Sequence, residues 1–183
     1  MRYAVAVLGL SIALSVSAAT PEVGKPAPAF DLPAANIQSV FKDKKDGDKI
    51  SLSDFKGVNG KNVVLFFYPK AMTKGCTIES CGFRDRTKKF TELDTVLVGI
   101  STDKLDAQEK FVKKEMLTFP LLADPEKTTT KAYGALGLAG FASRYTFVID
   151  KTGTLRKVYT KVGAATHPDE VLDYVKENLA KPK

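Results

Sequence analysis

A mixed α/β fold, a central β-sheet flanked by helices, is predicted by three features of the 183-residue chain. Residues 63–68 (Val-Val-Leu-Phe-Phe-Tyr) and 95–100 (Thr-Val-Leu-Val-Gly-Ile) are continuous apolar, β-rich runs of the kind found in central strands covered on both faces. Stretches of helical periodicity, at 76–93 and 105–115, alternate with these runs. A late hairpin pattern, 145–149 and 155–161 around the turn Asp150-Lys151-Thr152-Gly153, adds antiparallel strands before a closing helix.

Taken in order, the chain opens on Arg2 and an apolar run, 4–14, interrupted only by Gly9 and Ser11. The small residues Ser15, Ser17, Ala18 and Ala19 follow. That is the layout of a secretory signal peptide, 1–19, with cleavage expected after Ala19 or, as nearly equal alternative, after Ala18; the run is too short to span a bilayer permanently. Export to the periplasm or an equivalent extracytoplasmic compartment is expected, where disulfides persist. Residues 20–183 then suit one domain with a real hydrophobic core, so two cysteines are not needed as a staple for an undersized fold.

Pro21, Pro26, Pro28 and Pro33 make 20–33 an extended arm. Residues 36–49 are polar and read as an exposed loop, 50–52 as a short strand and 53–57 as a brief helical turn. After the strand at 95–100, Thr102 or Asp103 is expected to cap the helix at 105–115. A short strand at 119–123, a short helix at 126–133 and a flexible link through Gly134, Gly137 and Gly140 precede the hairpin. Thr166 is expected to cap a last helix, 168–179, with Val171, Leu172 and Val175 facing the core. This order is the thioredoxin-like arrangement with an N-terminal extension.

The net charge of +7 comes from lysines scattered among acidic residues, with no interleaved aromatics. A solvated basic exterior is expected, not a nucleic-acid surface. Stable membrane insertion is not expected either.

The two cysteines, Cys76 and Cys81, are the only ones in the chain. Cys76 falls where a strand turns into a helix, so its sulfur is expected at a helix N-terminus, where free amides and the helix dipole favour a thiolate. Thr73, three residues earlier on the same loop, can place its hydroxyl beside that sulfur. Pro69 removes an N–H, stiffens the turn and screens the sulfur from water. Cys81 supplies a second thiol, able to condense with a sulfenic acid. On one helix, five residues separate the cysteines by about 7.5 Å of rise, beyond the roughly 7 Å Cα limit for a disulfide. A bond between them requires the helix to unwind, as suits a redox switch and not a staple.

The motif Pro69-x-x-x-Thr73-x-x-Cys76 resembles the peroxiredoxin active-site motif. The longer run from Phe66 through Cys81-Gly82-Phe83-Arg84-Asp85 is similar to the Q-type subfamily, the bacterioferritin comigratory proteins. Similarity extends from about Val23 to the C-terminus, with Ala71-Met72 where that subfamily often has acidic residues. The resemblance implies a thioredoxin fold, reduction of hydrogen peroxide and organic hydroperoxides, and recycling by a thioredoxin-like donor. It implies Cys76 as peroxidatic and Cys81 as resolving cysteine. The run Ser143-Arg144-Tyr145-Thr146 matches the family's arginine before a late strand, so Arg144 takes that role, stabilising thiolate and orienting peroxide. A resolving thiol in the same chain makes a monomer sufficient.

Other readings remain open on the residues alone. An exported thiol-disulfide oxidoreductase would want Cys-x-x-Cys, and four residues lie between these cysteines. A non-catalytic module would use Cys76–Cys81 as a structural disulfide. No cofactor or metal is expected: His167, the only histidine, reads as cap-adjacent, and zinc lacks ligands. Arg84 and Arg86 read as surface or structural ion-pairing residues.

Overall fold

The computed structural model describes residues 20–57 and 60–180; the expected leader, 1–19, lies outside the described residues. The strands are β1 (Asp31–Ala35), β2 (Lys49–Ser51), β3 (Asn62–Phe67), β4 (Thr95–Ser101), β5 (Leu121–Ala123), β6 (Thr146–Ile149) and β7 (Leu155–Tyr159). The α-helices are α1 (Lys74–Arg84), α2 (Thr87–Glu92), α3 (Leu105–Glu115), α4 (Thr128–Ala132) and α5 (His167–Asn178). The strands form one mixed sheet in the order β2-β1-β5-β4-β3-β6-β7. Its centre, β3-β4-β5, is parallel, and β6, β7, β1 and β2 join antiparallel on either side.

Because side chains alternate along a strand, β3 serves two cores at once. Val63, Leu65 and Phe67 point into a cluster with Phe55, Ile100, Tyr133 and Phe147. Val64, Phe66 and Tyr68, the residue after the strand, point the other way, towards Phe83 of α1, Phe90 of α2, Phe111 of α3 and Val175 of α5. Burial on both faces is why these runs read as continuous and not alternating.

The second core needs Gly99. A Cβ there would lie 2.5 Å from Leu121 Cδ2 and 2.9 Å from Phe66 Cζ. The bare backbone lets the Phe66 ring cross β4, stack on Phe83 at 4.7 Å and meet Phe119 edge-on at 5.6 Å. These rings seat α1 against the sheet, and α1 carries both cysteines.

The end of the proline-rich arm is extended, as expected, and pairs as β1, with Pro33 opposite Lys49. Pro33 is tolerated because β5 pairs only with Ala34 and Ala35, so at Pro33 the missing N–H has no neighbour on that side. The helical stretch 76–93 is two helices, broken at Asp85 and Arg86, where Arg86 sits at φ −109° and ψ 0°. Neither Thr102 nor Asp103 caps α3; its N-cap is Lys104, without a side-chain cap. Thr166 occupies the N-cap position of α5, but its hydroxyl donates to Glu170 Oε1 at 2.7 Å and caps no backbone amide. Thr166 sits at φ −93° and ψ −25°, a helical conformation and not the extended one from which an N-cap oxygen accepts from the first amides.

Replacing Gly99 by Ala should destabilise the protein by about 1–3 kcal/mol through overpacking. Urea titration checks this; an unchanged midpoint would mean that the Phe66–Leu121 contact has slack to give.

Candidate active site

The site grows from the loop between β3 and α1. Pro69 is half-buried, Ala71 is buried, and Met72 takes a left-handed conformation, φ 63°, that turns the chain into the helix. A polar network holds this loop from behind. Asp103 Oδ2 accepts from the Ala71 amide at 2.8 Å and from the Ser101 hydroxyl at 2.8 Å. Gln108 Nε2 donates to Ser101 Oγ and to the Leu122 carbonyl, both at 2.9 Å, and its Oε1 accepts from the Tyr68 hydroxyl. Burial drives the Tyr68 phenol far above its ordinary value, so it acts as a neutral donor. Asp103, expected as a helix cap, instead fixes the turn before the helix.

Thr73 is the N-cap of α1, but its hydroxyl donates to the Lys70 carbonyl at 3.0 Å and makes no side-chain cap. It lies exposed on the loop, three residues before Cys76. Cys76 is the third residue of α1, among the amides that have no partner inside the helix. It is 1% exposed, in contact with the core behind the loop.

Arg144 reaches the cysteine from the segment before β6. Its Nη2 donates to Cys76 Sγ at 3.3 Å, and its Nη1 pairs with Glu79 Oε2. The neighbouring backbone is held, with the Tyr145 carbonyl accepting from the Phe67 amide at 2.7 Å. Gly75 leaves room: a Cβ there would sit 3.3 Å from Arg144 Nη2. A guanidinium at this range stabilises negative charge on the atom it faces. Burial opposes the charge on Arg144, but Glu79 and Cys76 outweigh it and hold its pKa above the ordinary value.

Glu79 was not among the residues singled out from sequence. It is fully buried, three residues after Cys76 and so on the same helix face. Burial pushes its carboxyl up to about 7 against the pull of Arg144. Its second oxygen, Oε1, has no hydrogen-bond partner. The i, i+3 spacing from Cys76 was the available signal. Asp103 and Gln108 gave none, since they reach the loop from 32 and 40 positions away in sequence.

Cys81 lies on the same helix as Cys76, as expected, half-buried, and both thiols are free. Arg84 and Arg86 take structural roles. Arg84 Nη1 donates to the Glu115 carbonyl at 2.6 Å, and Arg86 makes a bidentate pair with Asp169 at 2.5 Å and 2.5 Å. His167 is adjacent to the cap, as expected, the first residue of α5 after the N-cap Thr166. It is fully buried, with Nε2 2.8 Å from Thr146 Oγ1, between the edges of Phe83 and Tyr159, and burial brings its pKa down to about 4.

A buried cysteine at a helix N-terminus, faced by an arginine and set in a thioredoxin-like sheet, defines a thiol-based redox protein. Comparison with known proteins makes the class narrower. Residues 23–158 match the model of the AhpC/TSA family. Peroxiredoxin Bcp of Escherichia coli K12 is 34% identical over 164 residues, covering 86% of this chain and 97% of that protein. Peroxiredoxin Bcp of Bacillus subtilis is 39% identical over 165 residues, with the same coverage. Among solved structures, Peroxidoxin BcpB of Mycobacterium tuberculosis superposes with a TM-score of 0.72 at 34% identity, covering 85% of this chain and 97% of that one. A mutant of Xylella fastidiosa PrxQ, at 23% identity, shares the fold with a TM-score of 0.76. The chain belongs to the AhpC/TSA family and, within it, to the Bcp/peroxiredoxin Q group, which makes it a thiol peroxidase.

The buried carboxyl gives a pH signature. Glu79 keeps its proton in the folded state up to about pH 7, whereas an unfolded glutamate loses it near pH 4.5. The folded state therefore binds more protons across that window, and Glu79's contribution to stability falls as pH rises through it. Glu79→Gln removes this dependence. The stability of Glu79→Gln relative to wild type should improve by about 2 kcal/mol from pH 5 to pH 7.5, read by urea unfolding. Parallel curves would place the Glu79 carboxyl at an ordinary pKa.

Proposed function

We propose that this chain reduces hydrogen peroxide and organic hydroperoxides through Cys76, with Cys81 resolving the product within the same chain. The observation that carries this reading is the 3.3 Å contact from Arg144 Nη2 to Cys76 Sγ at the first turn of α1. The Cys76 thiolate attacks one peroxide oxygen, the O–O bond breaks, and the distal oxygen leaves as water or alcohol after taking a proton. Cys76 becomes a sulfenic acid. Arg144 steadies the thiolate and the peroxide oxygens, and the Thr73 hydroxyl, exposed on the loop with its proton given to the Lys70 carbonyl, accepts from the O–H of the incoming peroxide. Pro69 stiffens the same turn.

The Cys81 thiol then attacks the Cys76 sulfur. An S–S bond forms, the S–OH bond breaks, and the hydroxyl departs as water with the Cys81 proton. Both cysteines sit on α1, about 7.5 Å apart in rise, so the helix must unwind first. Its composition favours this. Gly75, Thr77, Ser80 and Gly82 are poor helix formers, and the helix is held chiefly by its buried residues Cys76, Glu79, Ser80 and Phe83. A dithiol of a thioredoxin-like protein reduces the disulfide by exchange. The family resemblance supports that donor class, and a resolving cysteine in the same chain lets a monomer complete the cycle. The leader pattern of Arg2 and the apolar run at 4–14 supports export to the periplasm or its equivalent.

Three variants test the reading by stopped-flow tyrosine fluorescence and mass spectrometry. Cys76→Ser should abolish peroxide consumption while the fold survives; substantial activity would sink the assignment. Cys81→Ser should reduce one equivalent of peroxide and then accumulate sulfenic and sulfinic acid on Cys76. Full turnover of that variant with a thioredoxin-type donor would place resolution elsewhere. Arg144→Ala should slow the peroxide-dependent phase about tenfold or more. An unchanged phase would make the arginine purely structural.

A further inference from the structure

Cys81 does not merely wait on the far side of α1. Its thiol donates to Glu115 Oε2, at the C-terminal end of α3, at 3.7 Å. The same junction is closed twice more. Arg84 Nη1 donates to the Glu115 carbonyl at 2.6 Å, and the Thr87 and Thr118 hydroxyls meet at 2.7 Å. The chain after Glu115 is turned by Met116 in a left-handed conformation, φ 50°, which presents the end of α3 to this contact.

We propose that Glu115 is a positioning residue for resolution, docking Cys81 against α3 so that the thiol reaches Cys76 only when the C-terminal half of α1 lets go. This rests on the resolving role proposed above for Cys81.

The charges around the sulfur favour this reading. Burial pushes the Cys81 thiol up; Arg84 on its own helix pulls it down, while Glu115 across the junction and Asp85 push it up. Lys114 lies 4.0 Å from the other Glu115 oxygen. In the docked state the thiol thus holds its proton and donates it to a carboxylate, which makes it a poor nucleophile. When α1 unwinds, Cys81 leaves both the carboxylate and its half-buried seat, and gains thiolate character as it comes within reach of the Cys76 sulfenic acid. Attack then forms the S–S bond, breaks the S–OH bond and releases water that carries the Cys81 proton. Cys81 is oxidised and Cys76 reduced.

Glu115→Gln deletes the charge but keeps an oxygen acceptor of the same reach, and Glu115→Ala deletes both. In a Cys76→Ser background, the rate of Cys81 alkylation by iodoacetamide should follow a pH profile whose midpoint moves down in both variants, about threefold faster at pH 7.5. With Cys76 present, disulfide formation after one equivalent of peroxide, followed by acid quench and mass spectrometry, should accelerate by a similar factor. Unchanged alkylation profiles in both variants would overturn the proposal, and so would shifted profiles without faster disulfide formation. Alkylation needs neither peroxide nor resolution, so failure of the resolving role shows separately, as undiminished turnover of Cys81→Ser.

Discussion

The fork of Arg144 is the contact on which the site depends. One guanidinium nitrogen faces the Cys76 sulfur and the other is held by Glu79, so a half-buried cation joins a buried thiol and a buried carboxyl at the start of α1. The buried thiol and carboxyl are each costly to leave without a partner, and the two guanidinium nitrogens give each of them a donor. Gly75 leaves space for the guanidinium, the aromatic stack of Phe66 and Phe83 seats the helix, and Asp103 holds the loop that delivers it. The sheet is a rigid frame for one short and intrinsically weak helix.

That weakness has a use. A helix strong in its own right would keep Cys76 and Cys81 apart permanently. Here α1 draws its stability from burial at one end and from the Cys81–Glu115 and Arg84–Glu115 contacts at the other. Gly82 sits between them, facing Pro168 of α5 where a Cβ would approach to 2.8 Å. It permits close helix packing while lowering the cost of unwinding. Cohesion and release are therefore set by tertiary contacts, which oxidation of Cys76 can disturb.

The parts of this design that depend on local pattern were legible in the sequence. The apolar runs gave β3 and β4, the hairpin turn gave β6 and β7, and the motif from Pro69 to Cys76 marked the loop and the helix start. What pattern could not show was set by distant partners. Pro33 reads only as part of an extended arm until β2 supplies a neighbour on one side. Asp103 reads as a helix cap until the Ala71 amide, 32 residues away, claims it. His167 reads only as cap-adjacent, and its enclosure by Phe83, Thr146 and Tyr159 comes from distant partners. The partnership of Cys81 with Glu115 crosses 34 residues and leaves no trace in spacing. Glu79 was within reach, since three residues along a helix is the same face.

Hydrogen exchange of α1 in the reduced protein and after one equivalent of peroxide tests most directly whether the helix and the redox cycle are one system. Amides of residues 77–84 should lose protection on oxidation while β3, β4 and β6 keep theirs, because the disulfide cannot be accommodated in a continuous helix. A Cys76–Cys81 disulfide formed with α1 protection intact would contradict this coupling of bond and helix.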